Sequence, residues 1–268
     1  HVVEELKFLK EKYGIQRFSI IDDEFTLANK YAIAFSEALI DSGLDLKWDC
    51  PVGVRLDSLN QELLRVMEAA GCEAMAVGIE SGSERVQTLI KKKVTVTKIR
   101  EQANMIADTS RIRITGYFMI GLLDETVEEI KDTIRLACEL PLVRANFNVV
   151  IPIPGTEIFD ELVKIGLLKL DEINWDTLTS DQVAFERCHL SGKELMQLQR
   201  KAYLDFYIRP HILWDLIKEA VRNKEVVRAS FKKIKMLAWR RQTYSFIPMY
   251  KRGKTNGNLS TSLVSGTS

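Results

Sequence analysis

Ala74-Met75-Ala76-Val77-Gly78-Ile79-Glu80-Ser81-Gly82-Ser83 reads as a buried strand running into a turn and a helix start. Side chains on a strand alternate between its two faces. Ala74, Ala76, Gly78 and Glu80 therefore share one face, and Met75, Val77 and Ile79 share the other. The large apolar set suits packing beneath helices. The small set, ending in a carboxylate, suits the wall of a cavity. A carboxylate is costly to bury without a partner, so Glu80, with Ser81 beside it, marks a candidate ligand site.

The same construction recurs along the chain. Strand-like segments at 17–21, 47–54, 72–79, 111–120 and 145–151 alternate with helix-like segments at 2–13, 27–42, 57–70, 83–91, 97–109, 125–140 and 156–165. Asp57 or Ser58 is the expected N-cap of the third helix, and Gly71 its stop. Strands separated by helices and short connections predict a parallel α/β sheet with right-handed crossovers. Five strands in series predict a partial TIM-like barrel, with an open doubly wound sheet as the rival. No Gly-x-Gly-x-x-Gly follows any strand, which disfavours dinucleotide binding. Thr115, Tyr117, Met119 and Gly121 share a face, as do Asn146 and Asn148. Asp22, Asp23, Arg55, Glu80, Gly121 and Asn148 fall at or near C-terminal strand ends, the rim where parallel α/β folds bind ligands.

The remaining composition bounds the function. The chain has 268 residues, 46% hydrophobic and 28% charged, without an apolar run long enough to span a membrane. It has no secretory leader pattern, and its first residue, His1, points to a fragment boundary. Cys50, Cys72, Cys138 and Cys188 lack metal-knuckle spacing and read as reduced thiols of a cytoplasmic protein. Residues 209–254 hold 13 Lys/Arg against 3 Asp/Glu, a net +10, leaving −9 for the rest of a chain whose total is +1. Helices are expected at 191–206, opened by a Ser191/Glu194 capping box, and at 210–222 and 226–241. Gly, Ser, Thr and Asn dominate the tail from Gly253. The expected organisation is a barrel at 1–168, a mostly helical extension at 169–250 and a disordered tail at 251–268. In the 226–241 helix, Val227, Phe231, Ile234 and Ala238 share a face flanked by Arg228, Lys232 and Lys235. That face suits peripheral contact with an anionic membrane, or docking on the acidic front of the chain. Its aromatic content is thin for nucleic acid.

Several motifs together resemble the radical S-adenosylmethionine (SAM) enzymes, in particular their cobalamin-associated branch. Phe18-Ser-Ile-Ile-Asp-Asp-Glu-Phe-Thr26 is similar to the family's second strand and loop. Val54-Arg55-Leu56-Asp57, Ala70-Gly71-Cys72 and Gly78-Ile-Glu-Ser-Gly-Ser83 follow in the family's order. Tyr117-Phe-Met-Ile-Gly-Leu-Leu-Asp-Glu-Thr126 resembles the fifth-strand glycine motif, with Leu123 and Asp124 where Pro-Gly is usual. Ile151-Pro-Ile-Pro-Gly-Thr156 and Phe206-Tyr-Ile-Arg-Pro210 resemble later segments. The likeness covers residues 1 to about 210. The family's Cys-x-x-x-Cys-x-x-Cys loop occurs nowhere in the chain, whose start the resemblance places in the helix after that loop.

The resemblance implies a six-stranded partial barrel missing its first strand here. It implies reductive cleavage of SAM at a [4Fe-4S] cluster in the parent, for methylation, cyclisation or rearrangement of a small-molecule or lipid-like substrate. It also implies an electron donor such as flavodoxin or ferredoxin, and cobalamin in the parent. Asp22 or Asp23 and Glu80 become candidate partners of the SAM ammonium, with the ribose a second partner for Glu80. Arg55 becomes a candidate for the SAM carboxylate or an acidic substrate, and Gly121 for backbone approach to adenine. Tyr117 and Asn148 become candidate substrate-facing groups, and Glu125 a helix-terminus carboxylate. Two other readings remain: an inactive fragment or pseudo-enzyme, because the cluster ligands are missing, and an aldolase-type barrel.

Overall fold

The computed structural model describes residues 1–168, 170 and 189–222. The expected helix at 226–241 and the tail from Gly253 lie outside the described residues. Five strands, β1 (Arg17–Ser19), β2 (Lys47–Val54), β3 (Cys72–Glu80), β4 (Arg113–Ile120) and β5 (Arg144–Val149), pair in parallel in the order β1-β2-β3-β4-β5. An order that follows the sequence curls one way around, so the sheet is part of a barrel. A doubly wound sheet would reverse its order midway. Helices α1 (Val2–Tyr13), α2 (Asn29–Asp41), α3 (Gln61–Ala69), α4 (Glu84–Leu89), α5 (Val96–Thr109) and α6 (Val127–Glu139) precede or link the strands, and α7 (Glu157–Lys164) follows the last of them.

The two-residue period sorts the side chains as the sequence predicts. Met75, Val77, Ile79, Ile114, Phe118, Ile120, Phe147 and Val149 are buried on the helix-facing side. Thr115, Tyr117, Met119, Asn146 and Asn148 are only half-buried on the concave side. Near β1 and β2 the helix-facing layer is aromatic. Phe18 stacks on Trp48 with ring centroids 6.0 Å apart, and Phe25 and Phe35 meet Trp48 edge-on. The indole N–H of Trp48 donates to the Ala70 carbonyl at 2.9 Å, so this large side chain is buried without an orphaned donor.

Two boundaries differ from expectation for visible reasons. The third helix starts at Gln61, capped by Asn60, whose Oδ1 accepts from Leu63 N at 2.9 Å. Asp57 is unavailable as a cap because Arg55 holds its carboxylate at 3.1 and 2.7 Å. Ser58 is engaged with the Arg55 carbonyl and Thr26. Leu56–Ser58 instead forms a single 3-10 turn. The sixth helix starts at Val127 with a Thr126/Glu129 capping box, because Glu125 turns its carboxylate back to the amides of Gly121 and Leu122.

Beyond the sheet, α8 (Gly192–Tyr207) and α9 (Pro210–Arg222) follow, with Leu195, Ala202, Phe206 and Ile212 in the same core as the strands. Strand β5 is an edge, and α8 covers it. Gln199 Nε2 donates to the Phe147 carbonyl at 2.8 Å, and Phe147 N donates to the Tyr203 hydroxyl at 3.2 Å. Tyr207 Oη accepts from Ala145 N at 3.3 Å and donates to Ala145 O at 3.0 Å. These bonds satisfy backbone groups that an exposed edge would offer to another chain.

The turn after β3 is pressed against α6. A Cβ on Gly82 would lie 2.4 Å from Asp132 O and 2.7 Å from Thr133 N, both backbone atoms of α6. Gly82→Ala is expected to destabilise the fold by about 1–3 kcal/mol through this overpacking. A lowered urea midpoint with an unchanged m-value checks it.

Candidate active site

A cavity of about 590 Å³ opens at the C-terminal ends of β2 and β3. Asp23, Arg55, Glu80 and Tyr117, all singled out in the sequence, line it together with Glu24, Asp57, Gly78 and Lys91-Lys92-Lys93. The central contact is an ion pair. Lys92 Nζ lies 2.9 Å from Glu80 Oε1, with the carboxylate side chain 18% exposed and the lysine 37%. Gly78 makes room for it. A Cβ there would sit 2.6 Å from Glu80 Oε1 and 3.0 Å from Lys92 Nζ. This places Gly78 and Glu80 on one face, although the β3–β4 ladder is irregular between them.

Backbone strain gathers at the same place. Among the described residues, three besides glycine have positive φ: Asp45, Glu80 at 69° and Lys91 at 57°. Two of the three line the cavity. Left-handed backbone is unfavourable for side chains with a Cβ, and such strain clusters at functional sites.

Most of the other expected residues are engaged with the protein itself. Arg55 is gripped by both oxygens of Asp57 and lies 4.0 Å from Glu24. This pairing holds the Asp57 carboxyl below its ordinary pKa. The Tyr117 hydroxyl donates to the Pro51 carbonyl at 2.7 Å, fixing the ring as wall. Asp22 accepts from Glu24 N at 2.9 Å, a turn closure, and is not among the lining residues. Ser81 is buried away from the cavity, its hydroxyl 3.1 Å from Thr133 Oγ1 on α6. Gly121 (φ 81°) donates its N–H to Glu125 at 2.5 Å, and it too lies outside the lining. Asn148 stands on the concave face of β5, opposite Met119, beyond the cavity. Lys92, the direct partner of Glu80, was not predicted. Its signal in the sequence is the Lys91-Lys92-Lys93 run between two helices.

A second network braces the rim. Arg85 at the start of α4 meets both oxygens of Glu129 at 2.7 Å. It also reaches Asp124, which contacts His189 Nε2 at 2.7 Å. Asp124, standing where the resemblance expects glycine, is therefore a junction between the β4–α6 turn and the chain entering α8. Arg85 first, with Thr126 and Ser83, pulls the Glu129 pKa down to about 2, against the opposing effect of burial.

The three described cysteines, Cys50, Cys72 and Cys138, do not form a metal centre. Cys50 and Cys72 are buried, and burial pushes the Cys50 thiol up to about 12 and Cys72 up as well. Thiolate ligands need the opposite shift. Among the described residues no cluster of three metal-ligating side chains exists. The described residues therefore do not fit an iron–sulfur cluster.

Comparison with known proteins agrees with this architecture. The model of the radical SAM superfamily matches residues 1–137, and the chain belongs to that family. Members of the family use SAM and a [4Fe-4S] cluster. An uncharacterized methyltransferase of Pyrococcus horikoshii is 34% identical over 83% of this chain and 49% of its own length. The cytidylyl-2-hydroxyethylphosphonate methyltransferase of Streptomyces wedmorensis is 28% identical over 78% of this chain and 40% of its own. The chain thus spans less than half the length of these relatives. The fold is shared with TsrM from Kitasatospora setae, a radical SAM methyltransferase solved with cobalamin and a [4Fe-4S] cluster. Its TM-score is 0.55 at 17% identity, covering 62% of this chain and 33% of TsrM.

The Glu129 pairing predicts an acid-sensitive rim. A carboxylate whose folded pKa is depressed stabilises above its unfolded pKa of about 4.3 and loses that contribution as pH falls toward the folded value. Wild-type stability should drop between about pH 4.5 and pH 2, more steeply than in Glu129→Gln. Urea midpoints across that range measure the difference.

Proposed function

We propose that this chain supplies the SAM-binding half-barrel of a radical methyltransferase acting on a small molecule. The observation that carries this reading is the Glu80–Lys92 pair in the strand-end cavity. The methionine end of SAM carries an ammonium and a carboxylate. A lysine–carboxylate pair that parts to receive them exchanges one charge-assisted contact for two. Glu80 then accepts from the ligand ammonium and Lys92 donates to the ligand carboxylate. When bound, SAM supplies a sulfonium that one-electron reduction cleaves. Asp23 and Glu24 place negative charge near that cation. The Tyr117 ring, tethered through its hydroxyl, limits water at the cavity wall.

Methyl transfer is the reaction favoured by the names of the relatives and of the fold neighbour. The same comparison supports cobalamin as a second cofactor of the whole protein. A flavodoxin or ferredoxin is the reading for its electron donor. Peripheral membrane contact is assigned to the basic segment after α9. Among the described residues no helix is long and apolar enough to cross a membrane.

Calorimetric titration of the chain with S-adenosylhomocysteine, which keeps the amino-acid zwitterion, tests the site. Glu80→Gln should weaken binding tenfold or more, equivalent to about 1.4 kcal/mol, with the fold intact. Unchanged affinity in that variant would remove Glu80 from the site.

A further inference from the structure

The loop after α4 presents three consecutive ammonium groups, and two of them are engaged. Lys91 N donates to Thr88 O, Lys92 N to Gln87 O and Val94 N to Lys92 O, so the loop backbone is a set of closed turns. Lys91 reaches Glu157 on α7, at 2.5 and 2.7 Å from its two oxygens. Lys92 reaches inward to Glu80. The fourth cation lining the cavity, Arg55, is held by Asp57. Lys93 lines the same cavity, is exposed, and has no carboxylate partner among the described residues.

The acidic lining is placed differently. Asp57 and Glu80 are held by Arg55 and Lys92. Asp23 and Glu24 stand on the β1–α2 loop, whereas Lys93 follows β3 and α4. Strands β1 and β3 flank β2, so the cavity carries acid on one side and, on the other, an ammonium uncommitted among the described residues. Such a field favours a cation near Asp23 and an anion near Lys93.

We propose that Lys93 is a specificity residue that binds an oxyanion, a carboxylate, phosphate or phosphonate, on the second substrate. This rests on the reading that SAM occupies the cavity through Glu80 and Lys92. A sulfonium toward the acidic side and a substrate anion toward Lys93 complement the charges already there. Lysine acts as a mobile point charge and accommodates either oxyanion geometry. Being exposed, it gives an attraction that salt weakens.

The test uses methylphosphonate and acetate as probes, added at low ionic strength to chain carrying 13C-labelled lysine. Methylphosphonate should shift the Lys93 side-chain resonances saturably. Its affinity should fall tenfold or more in Lys93→Gln and recover in Lys93→Arg, while S-adenosylhomocysteine affinity stays within twofold. Saturable shifts with acetate as well identify a carboxylate as sufficient, and a response to methylphosphonate alone identifies a phosphate-type group. Equal methylphosphonate binding by wild type and Lys93→Gln overturns the proposal, as does a uniform, unsaturable shift of all surface lysines. If S-adenosylhomocysteine binds and methylphosphonate does not, the oxyanion subsite fails and the SAM reading stands. If methylphosphonate binding depends on Lys93 and S-adenosylhomocysteine does not bind, the SAM reading fails and the oxyanion subsite stands.

Discussion

One carboxylate and one ammonium, 2.9 Å apart at the end of β3, organise the strand-end cavity of this protein. Glu80 sits in left-handed backbone beside a ladder irregularity, and Lys92 follows a second left-handed residue, Lys91. Neither conformation is favourable alone. The absent Cβ of Gly78 lets the two side chains meet, and the turns after α4 carry the lysine to the carboxylate. A strand that ended in regular geometry would aim Glu80 elsewhere.

The rest of the fold supports that corner from behind. The helix-facing side of β2 to β5 is apolar, and the concave side of β4 and β5 is left half-buried. Ser81, Gly82 and Thr133 lock the turn after Glu80 to α6. Arg85 and Glu129 tie the start of α4 to the cap of α6. Asp124 and His189 extend the brace to the chain entering α8, which covers the edge of β5. Charges outside the cavity thus brace the turns around it, and Glu80 and Lys92 inside it pair with each other.

The period-two alternation made the sheet and its two faces readable from the sequence. The rival doubly wound sheet required the strand order to be known. The place of Glu80 on the cavity wall was legible because a carboxylate ended a small-residue face. Ser81 was misleading for the same physical reason: the next residue along points to the opposite side, here toward Thr133. Asp57 looked like a helix cap because short acidic side chains usually are, but a guanidinium two residues away outcompeted the backbone amides. Lys92 was illegible because a loop delivers it, and loop reach depends on the positive φ of Lys91, which has no propensity signal at a lysine.

The decisive contact is the one Lys92 makes with a ligand carboxylate when the pair opens. Comparing SAM with decarboxylated SAM isolates that contact, since the two differ only in the group assigned to Lys92. Wild-type chain should prefer SAM at least tenfold, and Lys92→Met should bind the two alike. A preference for SAM that survives in Lys92→Met would contradict the assignment of this cavity.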